Sequence, residues 1–392
     1  MKKILLALCL FLTGCTLHRS EAVQNDYDFR LAVIDNGTTD CEITYYDSDF
    51  HELGRTVLEN RHVSSSDNIS AQNAFHDHYV YIPPAAGQWR QSELIRMDLN
   101  NGSIDYVPVE MFDTEALLAD EEKLILIQSS SHTIPYFRSE IPYEGSDGKV
   151  TRYKDGDLPG LYYPLDEGWL RFRDTLNTSL IQYDSQFVMK DELLLGINYL
   201  TDHGTPEEYN PWRPYGKQSV LMDGSLYVPA EKELREWNKV SEEYYEPDDF
   251  LGCKYGFMKI STDPLRYEVI ENEGVVYTAI EQLDETRILL VGITQTMTAV
   301  TAGDDTSYRY ENSLPELVVF DTAAYAFDSV KTSFVPSSLS RDEEYLYVTD
   351  TDMKIHILDP VSLQELNVLD HQGSDPYSTA QIIPSKPYRW RR

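Results

Sequence analysis

The chain is short of cysteine, of positive charge and of long apolar runs. Only 4 of its 392 residues are Cys, and no CxxC pair or Cys/His cluster occurs, which excludes a zinc centre and a dense disulfide framework. Lys and Arg total 33 against 66 Asp and Glu, a formal net charge of −33. A chain so acidic repels phosphate backbones and anionic headgroups, so no nucleic acid is expected among its partners. After the opening residues, no apolar run approaches the roughly 20 residues that a membrane-spanning helix needs. Signatures of the GxSxG, HExxH, Walker A and GxGxxG kind are missing from any fitting context, and no cofactor is expected.

What is present is enough apolar material to fold, 41% hydrophobic and 12% aromatic residues, which rules out disorder as the general state. The length suits two ordinary domains or one large barrel or propeller. Internal periodicity decides between them. A short β-type run recurs as DFRLAVID (28–35), DHYVYIPP (77–84), EKLILIQSS (122–130), EGWLRFRD (167–174), GSLYVPA (224–230), ETRILLVGIT (285–294) and EEYLYVTD (343–350). The starts lie 49, 45, 45, 57, 61 and 58 residues apart. A second run ending in aspartate follows most copies, at Asp47, Asp98, Asp184, Asp321 and Asp359. In the fifth copy Ser261 stands there, and in the third only GKVTRY (148–153) offers a weak match.

Short strands repeating every 45 to 60 residues predict a β-propeller, here of seven four-stranded blades. The aspartates read as turn formers, because a carboxylate one residue past a strand caps the backbone of the turn. An open ring would expose strand edges, so closure is required. Blade 1 lacks an innermost strand, and STAQIIP (378–384) is expected to supply it. The last copy, through YLYVTD and the following ILDP, resembles YVTN and WD-type propeller repeats, although WD dipeptides and Gly-His pairs are absent. That resemblance implies a fold and no activity.

If each repeat is the second, third and fourth strand of a blade, long insertions after the first run share one face with the connections between blades. Such insertions carry aromatics beside arginine: Trp89 and Arg90; Tyr136, Phe137 and Arg138; Trp212, Arg213 and Tyr215; Tyr308, Arg309 and Tyr310. These residue types dominate recognition surfaces, and flat aromatic faces also suit sugar rings. Residues 229–247 place Ala230, Leu234, Trp237, Val240 and Tyr244 on one helical stripe, with Pro at both ends and a Glu231/Arg235 pair four apart. They predict a short helix in blade 5, with Trp237 a further ligand-binding candidate. His76-Asp77-His78 stands at a strand entrance that leaves its geometry unconstrained, the 35–40 loop and Asp350-Thr351-Asp352 read as turns, and no metal site is expected. Cys41 and Cys253, placed in non-adjacent blades, are expected to be unpaired.

The first residues carry their own signal. Lys2 and Lys3 precede the apolar run Ile4 to Leu12, and Leu12-Thr13-Gly14-Cys15 resembles the lipobox of bacterial lipoprotein precursors. The resemblance implies a signal peptide over 1–14, cleavage before Cys15, lipid on its thiol, and an extracytoplasmic address in a bacterial cell envelope. Two or more acyl chains make a stable anchor, since one alone holds only marginally. The expected organisation is then signal peptide 1–14, lipidated cysteine and tether 15–27, propeller 28–385 and basic tail 386–392. The function expected is binding of a protein, peptide or glycan by a monomer through the loop-rich face, without catalysis; the alternative is a carbohydrate-active hydrolase or lyase with its site in the central funnel.

Overall fold

The computed structural model describes residues 21–64, 71–85, 93–109, 113–129, 137–143, 151–154, 160–174, 177–197, 210–240, 245–272, 274–302, 305–371 and 381–388. They form seven antiparallel sheets, each a blade, and no helix occurs among them. Blade 1 holds β1 (Leu31–Asn36), β2 (Cys41–Tyr46) and β3 (Glu52–Leu58). Blade 2 holds β4 (Ala74–His76), β5 (Tyr79–Ile82), β6 (Glu93–Asp98) and β7 (Ile104–Pro108). Blade 3 holds β8 (Asp113–Ala119), β9 (Lys123–Ser129), β10 (Phe137–Pro142) and β11 (Thr151–Lys154). Blade 4 holds β12 (Leu161–Pro164), β13 (Trp169–Asp174), β14 (Asn177–Tyr183) and β15 (Met189–Ile197). Blade 5 begins with the short pieces β16 (Arg213–Pro214) and β17 (Val220–Met222), then β18 (Ser225–Lys239), β19 (Tyr245–Thr262) and β20 (Leu265–Glu271). Blade 6 holds β21 (Val275–Gln282), β22 (Arg287–Ala302), β23 (Asp305–Asn312), β24 (Glu316–Asp321) and β25 (Ala326–Val330). Blade 7 holds β26 (Pro336–Arg341), β27 (Leu346–Asp350), β28 (Ile355–Leu358) and β29 (Glu365–Leu369). The last strand, β30 (Gln381–Pro384), pairs antiparallel with β1 in the register Val33 to Ile382 and becomes the innermost strand of blade 1.

Each recurring first run is the second strand of a blade, buried on both faces. Every blade then packs on its neighbours through an apolar cluster. Ile34, Tyr45, Val80 and Met97 join blades 1 and 2, and Tyr227, Phe257, Tyr277 and Phe320 stack between blades 5 and 6. Leu31, Tyr347, Ile357 and Ile382 fill the junction of blades 7 and 1. Similar clusters occupy the four other junctions, so the ring is closed.

The turn aspartates act as their position implies. The N–H groups of Asp49 and His51 donate to Asp47 Oδ1, those of Gln186 and Val188 to Asp184, Ala323 and Ala324 to Asp321, and Val361 and Ser362 to Asp359. Asp98 takes the N–H of Asn100, and its turn ends on Gly102 at φ 73°. A Cβ there would lie 2.7 Å from the Tyr45 ring, whose hydroxyl donates to the Gly102 carbonyl at 2.9 Å, so only glycine fits.

Two expectations are corrected. The described residues of 229–247 form no helix; 225–239 are β18, paired with β19 as a long hairpin. The reason lies in the spacing: positions four apart share a face under a period of 3.6 and equally under a period of 2. Glu231 and Arg235 therefore fit either, and Glu231, Glu233 and Arg235 fall on one strand face. In blade 3 the third strand is FRSEIP (β10), which carries charges inside the run and no closing aspartate, whereas GKVTRY contributes the outermost strand, β11. The connection between β9 and β10 is thus 130–136, so Phe137 and Arg138 stand on β10 and not in an insertion.

Candidate functional site

Among the described residues, two hairpins extend from the face that carries the connections between second and third strands. Beyond Glu231 of β18 and Gly256 of β19 these two strands pair only with each other, and past Thr294 the strand β22 continues paired with β23. At about 3.3 Å per residue, 232–239 and 295–302 each extend roughly 25 Å beyond their blades. They rise from adjacent blades, 5 and 6.

The residues singled out in sequence are distributed unevenly over this face. Arg213 sits at the foot of the blade 5 hairpin, with Nη2 2.6 Å from Glu233 and 3.2 Å from Glu231, and Nη1 3.5 Å from Asp174 of blade 4. Burial works against its charge, and the three carboxylates outweigh that, so its pKa lies above the ordinary value. Arg235 completes the cluster, 2.9 Å from Glu233. Trp212 packs against the apolar cluster of blades 4 and 5. The Tyr215 hydroxyl donates to the Tyr277 carbonyl at 3.1 Å and accepts the Tyr277 N–H at 2.7 Å, stapling blade 5 to blade 6. Phe137 and Arg138 lie on β10, where Arg138 covers the Phe187 ring at 4.9 Å and reaches Glu140 at 3.4 Å. Trp237 lies on the projecting arm of β18, half-buried and opposite Pro247. Arg309 is exposed on β23, 3.7 Å from Glu311, between Tyr308 and Tyr310, which stand opposite Ala299 and Met297 in register. Trp89, Arg90 and Tyr136 lie outside the described residues, as does Cys15.

Elsewhere the considered metal ligands are occupied. His76 stacks on Tyr143 with ring centroids 3.6 Å apart, and His78 Nδ1 lies 2.7 Å from Asp77. Among the described residues no group of three His, Cys, Asp or Glu side chains has metal-site geometry. Cys41 and Cys253 are free thiols.

A second candidate lies on the axis. The innermost strands of all seven blades enclose a cavity of about 1240 Å³, whose mouth is formed by the turns between first and second strands, on the face opposite the hairpins. Glu281 of β21, Arg341 of β26 and Gln381 of β30 line its wall. Burial pushes the Glu281 carboxyl up to about 7, opposed by the Gln282 N–H bond and the Arg341 charge. The Arg341 guanidinium lies 3.7 Å from the Tyr388 ring centroid, and its Nη1 donates to the carbonyls of Gln282 and Leu283. None of the three residues stood out in the sequence. The available signal was a charged or amide residue inside three short runs outside the repeats, AIEQ, SLSR and AQII, and such runs are too short to show a period.

No family model matches the chain, nor does any curated protein sequence. Among solved structures the chain is similar to BamB from Moraxella catarrhalis, at 12% identity and a TM-score of 0.42 over 91% of each chain. It is also similar to apo AztD from Citrobacter koseri, at 11% identity and a TM-score of 0.47 over 90% of this chain and 98% of that one. A putative TolB from Agrobacterium tumefaciens follows at 9% identity and 0.39, over 77% and 89%. At TM-scores below 0.5 these likenesses carry no ligand, partner or activity across. The chain is a seven-bladed β-propeller on the strength of its own seven sheets and their closure.

Proposed function

We propose that the protein is a binding propeller, lipid-anchored through Cys15 on the extracytoplasmic side of a bacterial membrane, which holds an envelope protein, peptide or glycan by its hairpin-bearing face. The carrying observation is the pair of hairpins projecting from adjacent blades 5 and 6, since long elements on one side of a rigid ring are where recognition is concentrated. Trp237, Tyr308, Arg309 and Tyr310 are the contacts expected there. Trp212, Arg213 and Tyr215 act beneath them as supports.

The test is cross-linking and capture from envelopes, together with a glycan array, using the full chain and a variant with both hairpins shortened to tight turns. Capture or glycan binding by the full chain and its loss in the variant is the expected result; equal retention by both would overturn the reading. The anchor has a separate test: Cys15→Ser should abolish incorporation of radiolabelled palmitate and release the protein from membranes.

One observation favours a second reading, catalysis in the axial cavity. A carboxyl held near 7 is suited to general-acid work, and Glu281 has this property. Glycan turnover that disappears in Glu281→Gln would select it.

A further inference from the structure

The chain that enters blade 1 is fastened to the ring before it reaches β1. The Val23 N–H donates to the Ile104 carbonyl of β7 at 2.9 Å, and the Val23 carbonyl accepts the Ile104 N–H at 2.8 Å. The Asn25 side-chain amide donates to Thr56 Oγ1 of β3 at 3.0 Å and to the Gly102 carbonyl at 2.8 Å, and its backbone exchanges two further bonds with the Ser103 hydroxyl. The Tyr27 N–H donates to the Asn101 carbonyl at 3.0 Å, and its ring centroid lies 4.9 Å from that of Tyr45. Its hydroxyl fills the space that a Cβ on Gly54 would need. Residues 23–27 are therefore a strap across the outer strands of blades 1 and 2, and Val23 and Tyr27 pack on the apolar cluster that joins them.

Taken with the anchoring on Cys15 proposed above, on which this step rests, the strap restricts how the ring meets its membrane. From Cys15 to Glu21 the chain spans at most about 20 Å, even fully extended. In a closed ring of seven blades the point opposite blade 2 falls between blades 5 and 6, which carry the hairpins. Four strands about 4.8 Å apart on either side of the axis make the ring roughly 45 Å across, well beyond that reach. Both flat faces are acidic. Glu121, Glu122, Asp166, Glu167, Glu285 and Glu343 are exposed on the face opposite the hairpins, and the blade 5 hairpin, 232–252, carries three Lys and Arg against seven Asp and Glu. Anionic headgroups repel both. The rim at blades 1 and 2 is different: Arg55 is paired with Glu42 and Glu52, Arg96 with Asp105, and Leu53 and Val57 of β3 are exposed. We infer that the ring stands edge-on, with the rim of blades 1 and 2 against the anionic phospholipid surface that bears the anchor and the hairpins at the far rim. Their ligand is then met a ring's width from the bilayer, which excludes the lipid headgroups themselves.

The test is energy transfer from a dye on a single cysteine to acceptor-labelled lipid, with the lipidated full chain in vesicles of phosphatidylcholine and phosphatidylglycerol. The background is Cys253→Ser, since Cys41 is fully buried and takes no dye. Four exposed positions carry the dye: Val57→Cys on β3, Leu194→Cys on β15, Asp328→Cys on β25 and Glu311→Cys on the blade 6 hairpin. Transfer from position 57 should be several-fold stronger than from the other three. A long Gly/Ser linker inserted between Ser20 and Glu21 leaves every contact of the strap in place and should even out the four. Asn25→Ala with Tyr27→Ala, which frees the strap, should do the same, with circular dichroism verifying the fold. Equal transfer from positions 57, 194 and 328 without the linker would mean that the ring lies flat, and strongest transfer from 311 that the hairpins meet the bilayer. Either result, or a gradient that the linker leaves unchanged, overturns the inference while the anchor stands. A chain that does not bind the vesicles, or Cys15→Ser that still does, overturns the anchor and this inference with it.

Discussion

The junction of blades 7 and 1 and the projecting hairpins of blades 5 and 6 use the same residue types to opposite ends. At the junction, Arg30 bonds Asp342 at 2.8 Å, Glu344 at 3.0 Å and the Tyr347 hydroxyl at 3.1 Å, with its guanidinium 4.2 Å over the Tyr345 ring. The Tyr347 hydroxyl donates in turn to Asp342 at 2.7 Å. On the other side of the blade, His371 Nε2 meets Asp35 at 2.5 Å with both side chains fully buried, and its Nδ1 lies 2.8 Å from the Tyr46 hydroxyl. On the blade 6 hairpin, Arg309 and Glu311 are 3.7 Å apart and 73% and 63% exposed. Where charged groups are buried against their partners, as Asp342 and the Asp35–His371 pair are, removing one strands the other; where water reaches both, either can leave and meet something new. The ring is locked at its junction, and the Arg309–Glu311 pair of the hairpin stays open to solvent.

The largest effect should come from the closure itself. Ending the chain at residue 380 removes β30, which supplies Ile382 and Ile383 to two apolar junctions. Blade 1 would then show an unpaired inner edge, and the cooperative thermal transition should be lost, as scanning calorimetry would reveal. A sharp transition retained by the truncated chain would break the contrast, because the junction would then not be where the ring is locked. His371→Ala comes next, with an expected loss of about 2–4 kcal/mol by urea denaturation, since it leaves the Asp35 carboxylate buried without its partner. A double-mutant cycle with Asp35→Asn should show coupling above about 1 kcal/mol.

Much of this contrast could be read in the sequence, for reasons that differ by element. The seven second strands were legible because they are central in their blades, apolar on both faces and bounded by turns. Asp47, Asp98, Asp184, Asp321 and Asp359 were legible because an aspartate at a strand end has one inexpensive local role, and β30 because closure demanded a strand and only one remained. The blade 5 hairpin was misread because Glu231 and Arg235 are spaced by four, an even number that serves strand and helix alike. In β10, the charges Arg138 and Glu140 satisfy each other across the strand face, which disguised a strand as a loop. Of the candidate site, the aromatics beside arginine pointed to the hairpin-bearing face, but sequence could not separate Arg213, neutralised by three carboxylates from other segments, from Arg309, paired with its neighbour Glu311. Glu281, Arg341 and Gln381 meet only through ring closure, a relation no local pattern carries.

A smaller effect tests whether the cavity wall resembles the junction in being dry. The Glu281 carboxyl is raised to about 7, against about 4.3 in an unfolded chain, so the folded protein binds this proton more tightly than the unfolded one. Its contribution is therefore fully present below about pH 4, declines as pH rises, and is gone above about pH 8. Glu281→Gln should leave the transition temperature little changed at pH 5 and raise it at pH 8, by the equivalent of about 1–2 kcal/mol after allowing for water in the cavity. The same increment at both values would mean that the carboxyl is solvated.

The smallest effect belongs to the hairpin, and there a near-zero result is the informative one. Arg309→Ala removes one member of an exposed pair, and such pairs contribute about 0–0.5 kcal/mol at moderate salt, so chemical denaturation should place the variant within about 0.5 kcal/mol of the parent. The same substitution should weaken capture of the envelope ligand, because an exposed arginine between two tyrosines is the type of residue on which binding energy concentrates. A variant destabilised by more than about 1 kcal/mol would show that Arg309 is tied into the fold as Arg30 is, and the hairpin would then belong with the junction rather than opposite it.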